Sequence, residues 1–98
     1  MKPFLVLLKN KGLLKLEVPL LLEHVEHLKN IHNSGNLLIC GPFIDGTGAV
    51  LIIKANSKQE AEKIIQSDPF IKEKYYTEFS ITEFQQADNS NNWLADHL

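Results

Sequence analysis

Three histidines fall within nine residues, His24, His27 and His32, in a stretch, "LLLEHVEHLKNIH" (20–32), that otherwise reads as an amphipathic helix. Imidazole is the side chain that gains and loses a proton near neutral pH, so its direction on the helix decides what chemistry it can do. Taking Leu21 as origin and turning about 100° per residue, Val25, Leu28 and Ile31 fall in a stripe about 120° wide, with His24 and His32 inside it and His27 at its edge. Glu23, Glu26, Lys29 and Asn30 face the other way. The stripe predicts that His24 and His32 point into the protein and His27 toward water. His24 and His32 are eight residues apart, about 12 Å along a helix axis, too far to share an ion at about 2.1 Å. His24 and His27 supply two ligands one turn apart with no third at a ligand spacing, so no metal site is expected. For His32 the expected role is that of a polar residue near the helix end, where a cation suits the dipole.

A carboxylate holds the corresponding place on a second predicted helix. Ala61, Ile64 and Ile65 mark its apolar side, and one further turn reaches Asp68. A buried carboxylate needs a partner, and His24 is the obvious one. An aspartate bonded to one ring nitrogen fixes the imidazole tautomer and stabilises its protonated form, so that the other nitrogen can take and return a proton. The same orientation logic operates in hydrolase triads. No serine or cysteine nucleophile is evident beside the pair, which favours proton transfer in an isomerisation, elimination or related lyase-type step over acyl transfer. Asp68 has a second reading, as the N-cap of a short turn that opens at Pro69. The two roles are compatible.

The elements that must position this pair follow from periodicity. "FLVLLK" (4–9), ended by "NKG", is a buried strand and a turn. Pro19 opens a helix that runs to about 34, where Gly35 can close it in the left-handed conformation. "LLICGPF" (37–43) and "AVLIIKA" (49–55) are two strands joined by "IDGTG", whose Asp45, Gly46 and Gly48 suit a hairpin with positive φ angles. Ser57 with Glu60 forms a capping box for a helix over 58–67, ended by "DPF". After a short turn at 69–74, "YTEFSITEF" (76–84) alternates as a half-buried strand does.

The order β-α-β-β-α-β predicts an α+β, ferredoxin-like domain: a four-stranded antiparallel sheet with both helices on one face. Its crossovers run the two helices antiparallel, which lets the start of the first and the end of the second meet. The sheet's other face then needs a cover, and a second copy packed sheet to sheet is the simplest one, giving a homodimer or higher homo-oligomer. The domain is expected over 1–84, followed at 85–98 by a polar, Asn-rich linker and tail. Trp93, Leu94 and Leu98 make that tail either a docking segment or a disordered one.

Composition narrows the partners. The chain has 98 residues, a formal net charge of −2, 44% hydrophobic and 22% charged residues, values that ask for neither nucleic acid nor an anionic membrane surface. The apolar run of "MKPFLVLLK" is five residues long, too short for a signal core or a membrane span. The single cysteine, Cys40, makes a cytoplasmic protein the default and reads as a small buried hydrophobe. No Gly-rich phosphate loop, nucleotide fingerprint or flavin motif is present, so no cofactor is expected.

The chain resembles the YciI-like family of the dimeric α/β-barrel superfamily over roughly 4–84. Three stretches carry the resemblance: the helix histidine followed by "GNLLICGPF", the strand-to-helix segment "IIKANSKQEAEKII", and "SDPF". By position His24 falls on the family's histidine, Asp68 on its aspartate, Gly41 and Pro42 on its Gly-Pro, and Phe70 on its aromatic residue. The resemblance implies that His24 and Asp68 form an active-site pair in a cleft of a sheet-to-sheet dimer, doing acid–base chemistry on a small molecule. Gly41 would let a substrate come close, and Pro42, Phe43 and Phe70 would line the pocket. Two positions depart from the pattern: Leu21 stands where the family often has an arginine, and Lys74 where a glycine is usual. Three readings remain: an acid–base enzyme, a non-catalytic module that binds or senses a small molecule, and a structural dimer in which His24 and Asp68 merely fix helix packing.

Overall fold

The apolar run at 4–8 lies in the first strand, β1 (Lys2–Lys11), and burial alternates along it: Phe4, Val6 and Leu8 are completely buried, while Leu5 and Leu7 point to the opposite face. The structure is a computed structural model and describes residues 1–97. Helix α1 (Val18–Asn33), strands β2 (Leu37–Pro42) and β3 (Gly48–Ala55), helix α2 (Lys58–Gln66), the single turn α3 (Pro69–Lys72) and strand β4 (Tyr76–Glu83) follow. The strands form one antiparallel sheet in the order β2-β3-β1-β4. This is the ferredoxin-like α+β plan, and its helices cover one face of the sheet. Ala61, Ile65 and Phe70 close the core over Phe4, Val6, Leu8, Leu51 and Ile53. The other face presents Leu5 and Leu7 of β1 beside Val50 and Ile52 of β3, with the 60% exposed Ile39 at its β2 margin.

Local chemistry sets the element ends. Gly35 takes φ 81° and closes α1, its N–H donating to the His32 carbonyl while that of Asn36 donates to Ile31. Ser57 caps α2 by accepting from the Glu60 N–H at 3.1 Å, and the Glu60 carboxylate reaches back to the Asn56 N–H at 3.2 Å. In the β2–β3 hairpin Gly46 has φ 77°, as expected. Gly48 does not have a positive φ: it is required because a Cβ there would collide with the Leu8 carbonyl oxygen across the strand pair. Lys74 does adopt φ 60°, the conformation for which the family glycine is suited. A side chain there costs about 1 kcal/mol relative to glycine.

The tail folds on itself. Asn89–His97 is a 3₁₀ segment with a kink at which Asn92, Trp93 and Leu94 have φ between 54° and 60°. Asp88 accepts from the Ser90 N–H and hydroxyl, and the Trp93 indole donates to Asn89 at 3.1 Å. Trp93 nevertheless stays 62% exposed in the single chain. The expectation for Leu98 lies outside the described residues. Among the described residues, no helix is long and apolar enough to cross a membrane.

Candidate active site

Helix α1 and the turn α3 bring the pair together at one end of the helical layer. Asp68 ends the apolar side of α2 and begins α3 at Pro69, so the same backbone position that buries the carboxylate also makes it a cap. It is 1% exposed. Its Oδ1 accepts two hydrogen bonds, one from the His24 ring at Nδ1 (2.8 Å) and one from the Phe70 N–H (2.9 Å). The two roles available to Asp68 thus coexist in one oxygen. Asp68 Oδ2 is buried without a hydrogen-bond partner among the described residues.

With Nδ1 committed to Asp68, His24 has Nε2 left for exchange with its surroundings. The ring is fixed from a second direction: it lies parallel to Phe70, with centroids 3.7 Å apart and planes 5° from each other. Phe70 packs in turn on Tyr75 (4.7 Å) and, edge on, against Tyr76 (5.9 Å). An imidazole held by a carboxylate in its plane and an aromatic ring on its face has few rotamers open to it.

His24 forms part of the wall of a cavity of about 400 Å³ between α1, the ends of β1, β2 and β3, and the α3–β4 corner. That volume suits a small organic molecule. Gly41, Pro42 and Phe70 line it, with Leu21, Val25 and Leu28 from α1. A Cβ on Gly41 would meet no atom within 4 Å, so its missing side chain leaves open space. Phe43 does not line the cavity. It lies in the hairpin turn, bonded through its backbone to Gly48 and Gly46, with its ring against Gly48.

Three side chains stand differently from their sequence expectation. His32 is exposed and His27 is half-buried, the reverse of what the stripe centred on Leu21 predicts. The arc of α1 that packs inward runs through Leu20, His24, His27, Leu28 and Ile31, because the helix leans on α3; Leu21 is left 39% exposed at the rim. Cys40, expected in the core, is exposed and lines the cavity, since β2 is an edge strand. Partial burial pushes its thiol up, which keeps it protonated and weakly nucleophilic.

His27 Nε2 is buried and unpartnered among the described residues. Burial holds its pKa below the ordinary 6.5; the Asp68 charge opposes this and His24 reinforces it. Below about pH 6.5 the unfolded chain therefore takes up a proton that the folded chain resists, and stability falls as pH drops through that window. His27→Leu is expected to flatten the decline in unfolding free energy between pH 7 and about pH 5, read by urea denaturation. An unchanged slope would remove His27 as its source.

A family model for the YCII-related domain matches residues 3–85. The chain belongs to this family. The match to the uncharacterized protein YjpA of Bacillus subtilis (strain 168) is 38% identical over 48 residues, 49% of this chain and 56% of that protein, so it spans little more than half of the relative's length. The YCII-related fold is also similar to that of 5-chloro-2-hydroxyhydroquinone dehydrochlorinase (TftG) from Burkholderia phenoliruptrix AC1100, solved in complex with 2,5-dihydroxybenzoquinone. The TM-score is 0.66 and the identity 20%, over 92% of this chain and 99% of that one.

Proposed function

We propose that this YCII-related protein is a small-molecule enzyme of lyase or isomerase type in which His24 moves a proton and Asp68 orients it. The carrying observation is the 2.8 Å bond from His24 Nδ1 to Asp68 Oδ1 at the wall of a cavity of ligand size. Asp68 accepts from Nδ1–H and so sets the tautomer with an unprotonated Nε2, the form of a general base. When Nε2 takes a proton from the substrate, the Asp68 carboxylate stabilises the imidazolium, and the same nitrogen returns the proton to the product or to a leaving group. Apolar walls keep water from competing for it. The protonated Cys40 thiol favours this route over covalent catalysis.

The similar fold of a dehydrochlorinase supports the elimination class, since removing hydrogen and chloride from one molecule needs a base at the carbon or hydroxyl that loses the proton. The apolar sheet face of Leu5, Leu7, Val50 and Ile52 supports a sheet-to-sheet homodimer as the working form.

The test is turnover of chlorinated and hydroxylated hydroquinones by the purified protein, with chloride release and NMR of the products as readouts. His24→Gln is expected to keep the fold and lose about 10²- to 10⁴-fold in rate. A His24→Gln protein as fast as the wild type would sink the acid–base reading. Binding of these compounds without turnover would favour the non-catalytic module.

A further inference from the structure

Lys11 ends β1 opposite Tyr76 and lines the same cavity as His24. Among the described residues that line it, no other side chain carries a formal charge at neutral pH; the rest are aliphatic or aromatic apart from His24, Cys40 and the glycines. Lys11 forms no ion pair with a carboxylate among the described residues. Its Nζ stands 5.6 Å from the centroid of the Tyr75 ring. Tyr75 packs on Phe70 at 4.7 Å, and Phe70 is stacked on His24 at 3.7 Å. The cavity thus has one continuous aromatic side, with a proton-exchanging nitrogen at one end and an ammonium group at the other.

From this arrangement we infer that Lys11 is a ligand-binding and specificity-determining residue, and that the cavity takes a planar, largely apolar molecule bearing one anionic oxygen, which Lys11 holds while the ring lies against the partly exposed Tyr75. The inference rests on the proposed use of the His24 cavity and adds the substrate class to it. An unpaired ammonium beside an apolar surface attracts an anion that brings its own apolar body, because the anion then loses little hydration that Lys11 does not replace. Tyr75 keeps the ammonium over the cavity through the attraction of its ring for a cation. Leu21 supplies no charge to the α1 wall, so the recognition of an anion falls to the strand wall instead.

A carboxylate and a phenolate or enolate present the same anionic oxygen, and three flat aromatic probes separate them: benzoate, 4-nitrophenolate and the neutral benzamide, an isostere of benzoate. Affinities of the full chain are measured at pH 8 by NMR titration for wild type, Lys11→Met, Lys11→Arg and His24→Gln. At least one anion is expected to bind wild type more tightly than benzamide, to lose about ten-fold in Lys11→Met and to keep most of its affinity in Lys11→Arg. Whichever anion shows the larger Lys11 dependence names the substrate's oxygen. His24→Gln is expected to leave that preference in place, so a failure of the proton-transfer reading does not imitate a failure of this one. Equal losses for benzoate, 4-nitrophenolate and benzamide in Lys11→Met, or no binding of any of the three to wild type, would overturn the inference.

Discussion

Asp68→Ala is expected to lower the unfolding free energy by about 3 kcal/mol, whereas Asp68→Asn is expected to lose less than half of that. The first figure has two sources. Alanine removes the N-cap of α3, the Oδ1 that accepts from the Phe70 N–H at 2.9 Å, and leaves that buried donor unpaired, at a cost of about 1–3 kcal/mol. It also releases the His24 ring, bonded to the same oxygen at 2.8 Å. Loss of the carboxylate relieves one unfavourable feature, the buried and unpartnered Oδ2, which holds the total below the simple sum. Asparagine keeps an acceptor oxygen in the same place, so the cap and the Phe70 bond survive while the charge does not. Thermal melts are expected to fall by about 12–24 °C for Asp68→Ala in a domain of this length. If Asp68→Asn were as damaging as Asp68→Ala, the charge itself, and not the acceptor geometry, would be what holds α1 to α3.

The separate effects of these two variants show why the proximity of His24 and Asp68 was legible in sequence. Each residue ends or interrupts an apolar stripe, and antiparallel crossovers leave only one end of the helical layer where such residues can meet. The order of the elements was legible for a similar reason: the short apolar run of β1 ends in a turn, helical spacing follows in α1, and clear alternation comes in β4. What periodicity could not settle was the rotation of α1. Leu20, Leu21 and Leu22 are consecutive and offer three possible centres for the buried stripe, and the choice depends on α3, which contributes a contact no local pattern encodes. His27 and His32 changed places as a result. Edge position was equally hidden. The run "LLICGPF" has the composition of a central strand, but β2 pairs on one side only and carries an irregularity between Leu37 and Ile39, so Cys40 stays exposed and lines the cavity. Lys11 had no signal at all: its place beside Tyr75 follows from the register of β1 on β4, a relation between segments more than sixty residues apart.

Phe70→Ala is expected to be the most damaging single truncation in the site, at about 4 kcal/mol, because Phe70 joins the core to the cavity. It is 6% exposed and touches His24 on one face while Tyr75 and Tyr76 pack against its other sides. Replacement by alanine removes a ring's worth of buried surface and leaves a void that α3, a single turn pinned at Pro69, is poorly placed to fill by collapse. A 98-residue domain has about 5–15 kcal/mol in all, so this one change consumes a large share of it. Phe70→Leu is expected to lose only about 1–2 kcal/mol in urea unfolding, since most of the apolar volume remains. The comparison also separates packing from function. In Phe70→Leu the His24 ring keeps its bond to Asp68 but loses the parallel ring beneath it, so affinity for flat probes is expected to fall more than stability does. If both variants instead unfold alike and probe binding tracks stability alone, Phe70 is a core residue whose stacking on His24 contributes nothing to the site.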